Sequence, residues 1–203
     1  MPTSAHWYTA ETLRNLIAAY IAHGRNGGRE KTVREFVSEF RGLSSTAKQK
    51  KVASDWSGAY LHDFVVDGDI NQDFVAELLK KMQSECVAPK PAVLGLVGKD
   101  HLTAYMKAQG VSSSSIRYAC KKGDDELPYI LETAFGVFED DNKKRSIVTG
   151  LNWSPVIGGD PDPTIRRLIQ EARLDPDDPV ILMVHIARPR FDFMDRGKTR
   201  LSL

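Results

Sequence analysis

Apolar positions recur at helical spacing through the first half of the chain and at period two through most of the second. Leu13, Leu16, Ile17, Tyr20 and Ile21 mark a first helix, which Thr9 can cap and Gly24 can end. A glycine-rich basic loop follows, from Gly24 to Arg29. Thr32 and Glu35 have capping-box spacing: the threonine side chain takes the Glu35 amide and the glutamate reaches back. Phe36, Val37 and Phe40 give that short helix its apolar side, and Ser45 to Ala53 reads as a further, strongly basic helix. Asn71 opens another, with Phe74, Val75, Leu78, Leu79 and Met82 on one face. Pro89 and Pro91 hold the chain extended, and Leu94-Gly95-Leu96-Val97-Gly98 makes tight turns. A helix over about 99–108 is ended by Gly110.

The serine run Ser112 to Ser115 is a boundary by composition. It divides a helical region, 1–111, from an α+β domain, 112–203. In the second part Ile116 to Cys120 and Tyr129 to Phe138 read as strands. Asp140 to Arg145 is expected to be a polar hairpin turn, with Ser146 to Trp153 as the return strand. Asp162 and Pro163 open a helix whose apolar side is Ile165, Leu168, Ile169 and Ala172. After a turn at Asp175 to Pro179, the near-continuous apolar run Val180 to Ala187 has the character of a central buried strand. The order is β-β-β-α-β.

Composition adds limits. With 203 residues, 41% of them apolar and 27% charged, the chain can bury a real core. Its net charge of +1 gives no global field toward nucleic acid or membrane. Charge is nevertheless polarised. Between Arg25 and Lys51 eight basic residues face three acidic ones, 8 − 3 = +5, and from Arg188 to Arg200 five face two, 5 − 2 = +3. Two cysteines, Cys86 and Cys120, without CxxC spacing argue against a zinc site or a disulfide scaffold. No basic, apolar leader stands at the N-terminus and no run approaches the ~18 apolar residues of a membrane span, so a cytoplasmic protein is expected.

Candidate chemistry is sparse. His185 lies inside the apolar run, on the face opposite Val184 and Ile186. It reads as a hydrogen-bonded structural residue before it reads as a catalyst, because no nucleophile or second carboxylate stands near it in sequence. Asp195-Arg196-Gly197-Lys198-Thr199 is the sharpest feature. Gly197 allows close backbone approach, and Lys198 is a point charge suited to a terminal phosphate. The segment lacks P-loop spacing, and a β-turn with an exposed lysine is the plain alternative.

Two stretches together resemble the B subunit of type IIB DNA topoisomerases (topoisomerase VI), a member of the GHKL ATPases. Pro89-Lys90-Pro91-Ala92-Val93-Leu94-Gly95-Leu96-Val97-Gly98-Lys99-Asp100-His101-Leu102 is similar to the proline-led segment of that family's helix–two-turns–helix domain. Val184-His185-Ile186-Ala187, followed by Phe193 and Lys198, is similar to the end of its transducer domain, where a strand leads to a loop carrying a lysine. A strand, hairpin and return strand ending in Val148 to Trp153 stand in the place of the transducer's first strands. The resemblance covers roughly 74–203.

It implies an α+β chain: a helical N-terminal half with a helix–two-turns–helix-like segment, then a β-β-β-α-β transducer of ribosomal S5 domain 2-like type. It also implies that Lys198 contacts the γ-phosphate of ATP bound to a neighbouring GHKL nucleotide-binding domain, with Gly197 and Arg196 beside it. The family's nucleotide-binding elements are not found between Met1 and Phe64, and the loop reads Asp195-Arg196-Gly197-Lys198 where the family tends to place a serine before the lysine. ATP with magnesium is therefore expected only through that other domain, with no enzyme activity and no metal in this chain alone. Further expected partners are a topoisomerase A-like subunit and DNA, met by Arg29, Lys31, Arg34, Arg41, Lys48, Lys50 and Lys51 through sequence-blind phosphate contacts. A stand-alone DNA-binding or adaptor protein is the alternative, and a metabolic enzyme using His185 or Asp195 ranks last.

Overall fold

The structure is a computed structural model, and it describes residues 2–152, 154–155, 163–193 and 201–202. The chain falls into two compact units, 1–89 and 90–203. The division follows Pro89, upstream of the serine run where the sequence reading puts it. The reason lies in the helix after the division: its Leu102 and Met106 are buried with Val111, Ala134, Phe138, Ile181 and Met183, in the core of the second unit.

The first unit is built on α1 (Ala10–Arg25), α2 (Val33–Ser38), α3 (Thr46–Val52) and α4 (Gln72–Glu85). Both threonine caps form. The Thr9 hydroxyl accepts the Thr12 amide at 3.2 Å, and Thr12 Oγ1 accepts the Thr9 amide at 2.9 Å. The Thr32 hydroxyl accepts the Glu35 amide at 3.2 Å, and the Glu35 carboxylate accepts the Thr32 amide at 2.9 Å. Asn71 caps α4 by accepting the Asp73 and Phe74 amides. The helices bury Leu13, Ile17, Phe36, Val75, Leu78 and Met82 completely. Between α3 and α4, β1 (Val65–Val66) and β2 (Asp69–Ile70) form a tiny hairpin. Its turn, Asp67-Gly68, has positive φ at both positions (53° and 87°), which an Asp-Gly pair adopts readily.

The second unit carries α5 (Lys99–Ala108), β3 (Arg117–Asp124), β4 (Pro128–Val137), β5 (Ser146–Leu151), β6 (Ser154–Pro155), α6 (Pro163–Glu171) and β7 (Val180–Ala187). These strands form one mixed sheet in the order β3-β4-β7-β5-β6, in which β6 adds only a two-residue edge. β8 (Asp192–Phe193) pairs with β9 (Leu201–Ser202) in a separate ladder.

β4 and β5 were expected to pair as a hairpin, and they do not. β7 lies between them, antiparallel to β4 and parallel to β5. Burial explains the insertion. Every residue of β7 except Leu182 is buried, so this strand needs neighbours on both edges for its backbone hydrogen bonds and cover on both faces. One face of the sheet meets α5 through Ala134, Ile181 and Met183. The other meets α6 through Val184 and Ile186 packed with Ile169. Asp162, proposed to cap α6, and the side chains of Ile165 and Leu168 lie outside the described residues; Ala172 falls past the helix and is exposed.

Close packing of α5 depends on one small residue. A β-carbon at Gly136 would stand 2.4 Å from Val111 Cγ1 and 2.9 Å from Met106 Cε. Gly136→Ala is expected to destabilise the second unit by about 1–3 kcal/mol through overpacking, read as an earlier urea midpoint with unchanged slope. Among the described residues no helix is long and apolar enough to cross a membrane.

Candidate functional site

Alternation along β4 buries Pro128, Ile130, Glu132, Ala134 and Gly136 on one side. Glu132 therefore puts a carboxylate at a position the strand otherwise fills with apolar groups, and it is wholly buried. The antiparallel register sets Glu132 directly opposite His185 of β7. Paired residues of neighbouring strands point to the same face, so the two side chains meet: His185 Nδ1 lies 2.9 Å from Glu132 Oε2. Tyr118 of β3, on the other flank, donates its hydroxyl to Glu132 Oε1 at 2.8 Å. The remaining partners come from the turn before α5. The Val97 amide donates to Oε2 and the Gly98 amide to Oε1, each at 2.8 Å.

One carboxylate thus joins three strands and the start of a helix. Glycine makes the approach possible, since Gly95 and Gly98 sit at φ +80° and +89°, a region where side-chain-bearing residues are strained. Burial alone would push the Glu132 carboxyl up. The amides of Gly98 and Val97, with Tyr118 and His185, outweigh it and hold the group below its ordinary value, as a charged acceptor. Burial first, and then the Glu132 carboxylate, push the Tyr118 phenol well above its ordinary range, so it remains a donor.

Beside this network lies a cavity of about 470 Å³, bounded by His101, Leu102 and Tyr105 of α5 and by Val148, Met183 and His185 of the sheet. Gly150, opposite His185 in β5, keeps the floor open: a β-carbon there would come 3.2 Å from the imidazole Cδ2.

Neither protein-family models nor curated proteins match this chain. Its chemistry must be judged from its own residues. The hydrogen-bonded reading of His185 agrees with the geometry, and the carboxylate it holds, Glu132, went unnoticed in the sequence. The signal was present: an acid at an interior period-two position of a strand, in a sheet whose central strand carries one histidine.

Arg196, Gly197 and Lys198, expected at the γ-phosphate, lie outside the described residues, as does Asp195. The seven basic residues expected at DNA are in the first unit, and several face carboxylates. Arg29 pairs with Glu35, Lys31 with Glu39, and Lys51 with Glu85 at 2.6 Å. Lys31 also stands 4.3 Å over the Tyr20 ring. Arg34 donates to Gln49, and Lys48 to the Gly42 carbonyl at 3.0 Å. Arg41 and Lys50 are exposed. Pairing of this kind lowers the local positive field that the +5 count suggests, although exposed pairs of about 0–1 kcal/mol exchange readily for phosphate. Among the described residues no group of His, Cys, Asp and Glu side chains is arranged to hold a metal ion.

Proposed function

We propose that 112–203 is the transducer portion of a topoisomerase VI B-like GHKL ATPase, with the helix–two-turns–helix-like segment before it. It couples ATP binding and hydrolysis in a nucleotide-binding domain to conformational change in a DNA-handling complex that includes a topoisomerase A-like subunit. The observation that carries this reading is the place of β7. It is the central strand, buried except at Leu182 and hydrogen-bonded on both edges, and in sequence it precedes the segment that bears Lys198. A strand so held is stiff enough to act as a lever within the sheet.

The physical role of Lys198 follows. An ammonium reaching a terminal phosphate makes a charge-assisted contact that exists with ATP and is lost after hydrolysis and phosphate release. Such a differential contact can bias one interdomain arrangement over another. Magnesium-bound ATP supplies the phosphate charge from the neighbouring domain.

The test is calorimetric titration of a non-hydrolysable ATP analogue into the chain alone and into the chain mixed with a GHKL nucleotide-binding domain. Binding is expected only in the mixture, and Lys198→Ala should weaken it about tenfold or more, as loss of a hydrogen bond to a charged group does. Binding by the chain alone, or a variant that behaves as wild type in the mixture, overturns the assignment and leaves a stand-alone DNA-binding or adaptor protein.

A further inference from the structure

We propose that Glu132 is a positioning residue that carries the state of β7 to the N-terminus of α5. The inference rests on the transducer reading and supplies its internal route. A carboxylate offers about four lone-pair positions, and here four partners take them, from β7, from β3 and from the two amides that open α5. The group is planar and rigid. A shift of His185 relative to β4 must either break its contact with Oε2 or turn the carboxylate, and a turned carboxylate takes the Val97 and Gly98 amides with it.

Two further features suit the turn to two positions. Glycines at positive φ, Gly95 and Gly98, bracket Leu96 and Val97, so the backbone there changes direction at little steric expense. Beside α5 the cavity of about 470 Å³ between Leu102, Tyr105, Val148 and Met183 gives the helix room to move against the sheet. Packed cores without such space resist displacement. The carboxylate is therefore what fixes an otherwise permissive turn, and it does so in register with the strand that leads to Lys198.

The experiment uses the full chain with the GHKL nucleotide-binding domain, and follows amide hydrogen exchange with and without saturating ATP analogue. In the wild type the analogue should slow exchange in β7 and also over Val97–Ala108. In Glu132→Gln the response of β7 should remain and that over Val97–Ala108 should be lost. Leu102→Ala, which loosens α5 without touching the carboxylate, should speed exchange of α5 in both states and keep the nucleotide-dependent difference; a merely structural role for Glu132 would make the two variants alike. Should Glu132→Gln not fold, His185→Leu leaves Glu132 its three other donors and should give the same selective loss. A nucleotide response of α5 that persists in these variants overturns the inference while the transducer reading stands. No analogue binding in the wild-type mixture, or binding indifferent to Lys198→Ala, overturns both.

Discussion

Replacing Glu132 by alanine is expected to lower the stability of the second unit by about 2–4 kcal/mol, because it removes a wholly buried acceptor from one buried and three half-buried partners at once. The amides of Val97 and Gly98, the Tyr118 hydroxyl and His185 Nδ1 all lose the group they face. Nothing of the alanine side chain replaces it at a position that is wholly buried. Glu132→Gln keeps the shape but presents an NH₂ where one oxygen accepted donors, so its loss should be smaller, on the order of 1–3 kcal/mol. The measurement is the free energy of the slowest-exchanging amides in β4 and β7. Loss below 1 kcal/mol in Glu132→Ala would show that the network contributes little.

The same group gives a pH dependence of definite sign. Its folded pKa lies below the ordinary 4.5, so the charged form favours folding. That contribution is fully present above the unfolded value and is lost as pH falls through the folded one. Wild-type stability should therefore drop below about pH 4.5, where protonation of the unfolded chain begins to compete. Glu35 and Glu39 of the first unit are lowered too, so acid sensitivity alone is not specific. The specific result is that Glu132→Gln loses less stability than wild type over the same acid range.

Phe36→Ala should cost the first unit about 3–5 kcal/mol, the usual range for removing a buried aromatic ring from a core that cannot collapse. Phe36 is fully buried and meets two other rings edge-on, Tyr20 at 5.6 Å and Phe40 at 5.1 Å, while Phe40 meets Tyr8 at 5.6 Å. The ring thus carries both apolar area and favourable quadrupole geometry. Trp56, packed against Phe64 and Phe74 in the same unit, supplies the fluorescence for a urea titration. An unchanged midpoint would show that the site closes around the smaller side chain.

Local chemistry of the first unit was legible residue by residue. Thr9, Thr32 and Asn71 act as caps because a short hydroxyl or amide three residues before an unpaired amide needs nothing from the rest of the chain. The Asp67-Gly68 turn carried the same kind of local signal and was passed over. In the second unit the period-two run of β4 and the apolar run of β7 marked strands, and the latter's lack of a polar face marked it as central.

Pairing was different in kind. The short polar link from Asp140 to Arg145 suggested that β4 turns back on β5, since neighbours in sequence most often pair. What decided otherwise was the demand of β7 for two partners, and that demand is met only when the crossover through α6 returns the chain between them. The division after Pro89 likewise followed from where Leu102 and Met106 find their core, not from the serine run that looks like a linker.

The sequence by itself therefore determined the α+β class, the main helices and strands and the caps at Thr9, Thr32 and Asn71, because these depend on periodicity and on neighbours within a few residues; Gly24, expected to end α1, instead lies inside it, and the helix runs on to Arg25. The tertiary structure alone decided which strands are adjacent, and with them the meeting of Glu132 with His185, which lies 53 residues away. A buried carboxylate is tolerable only where several donors converge on it. Such convergence is set by strand register and by the turn at Val97 and Gly98, neither of which local propensity specifies.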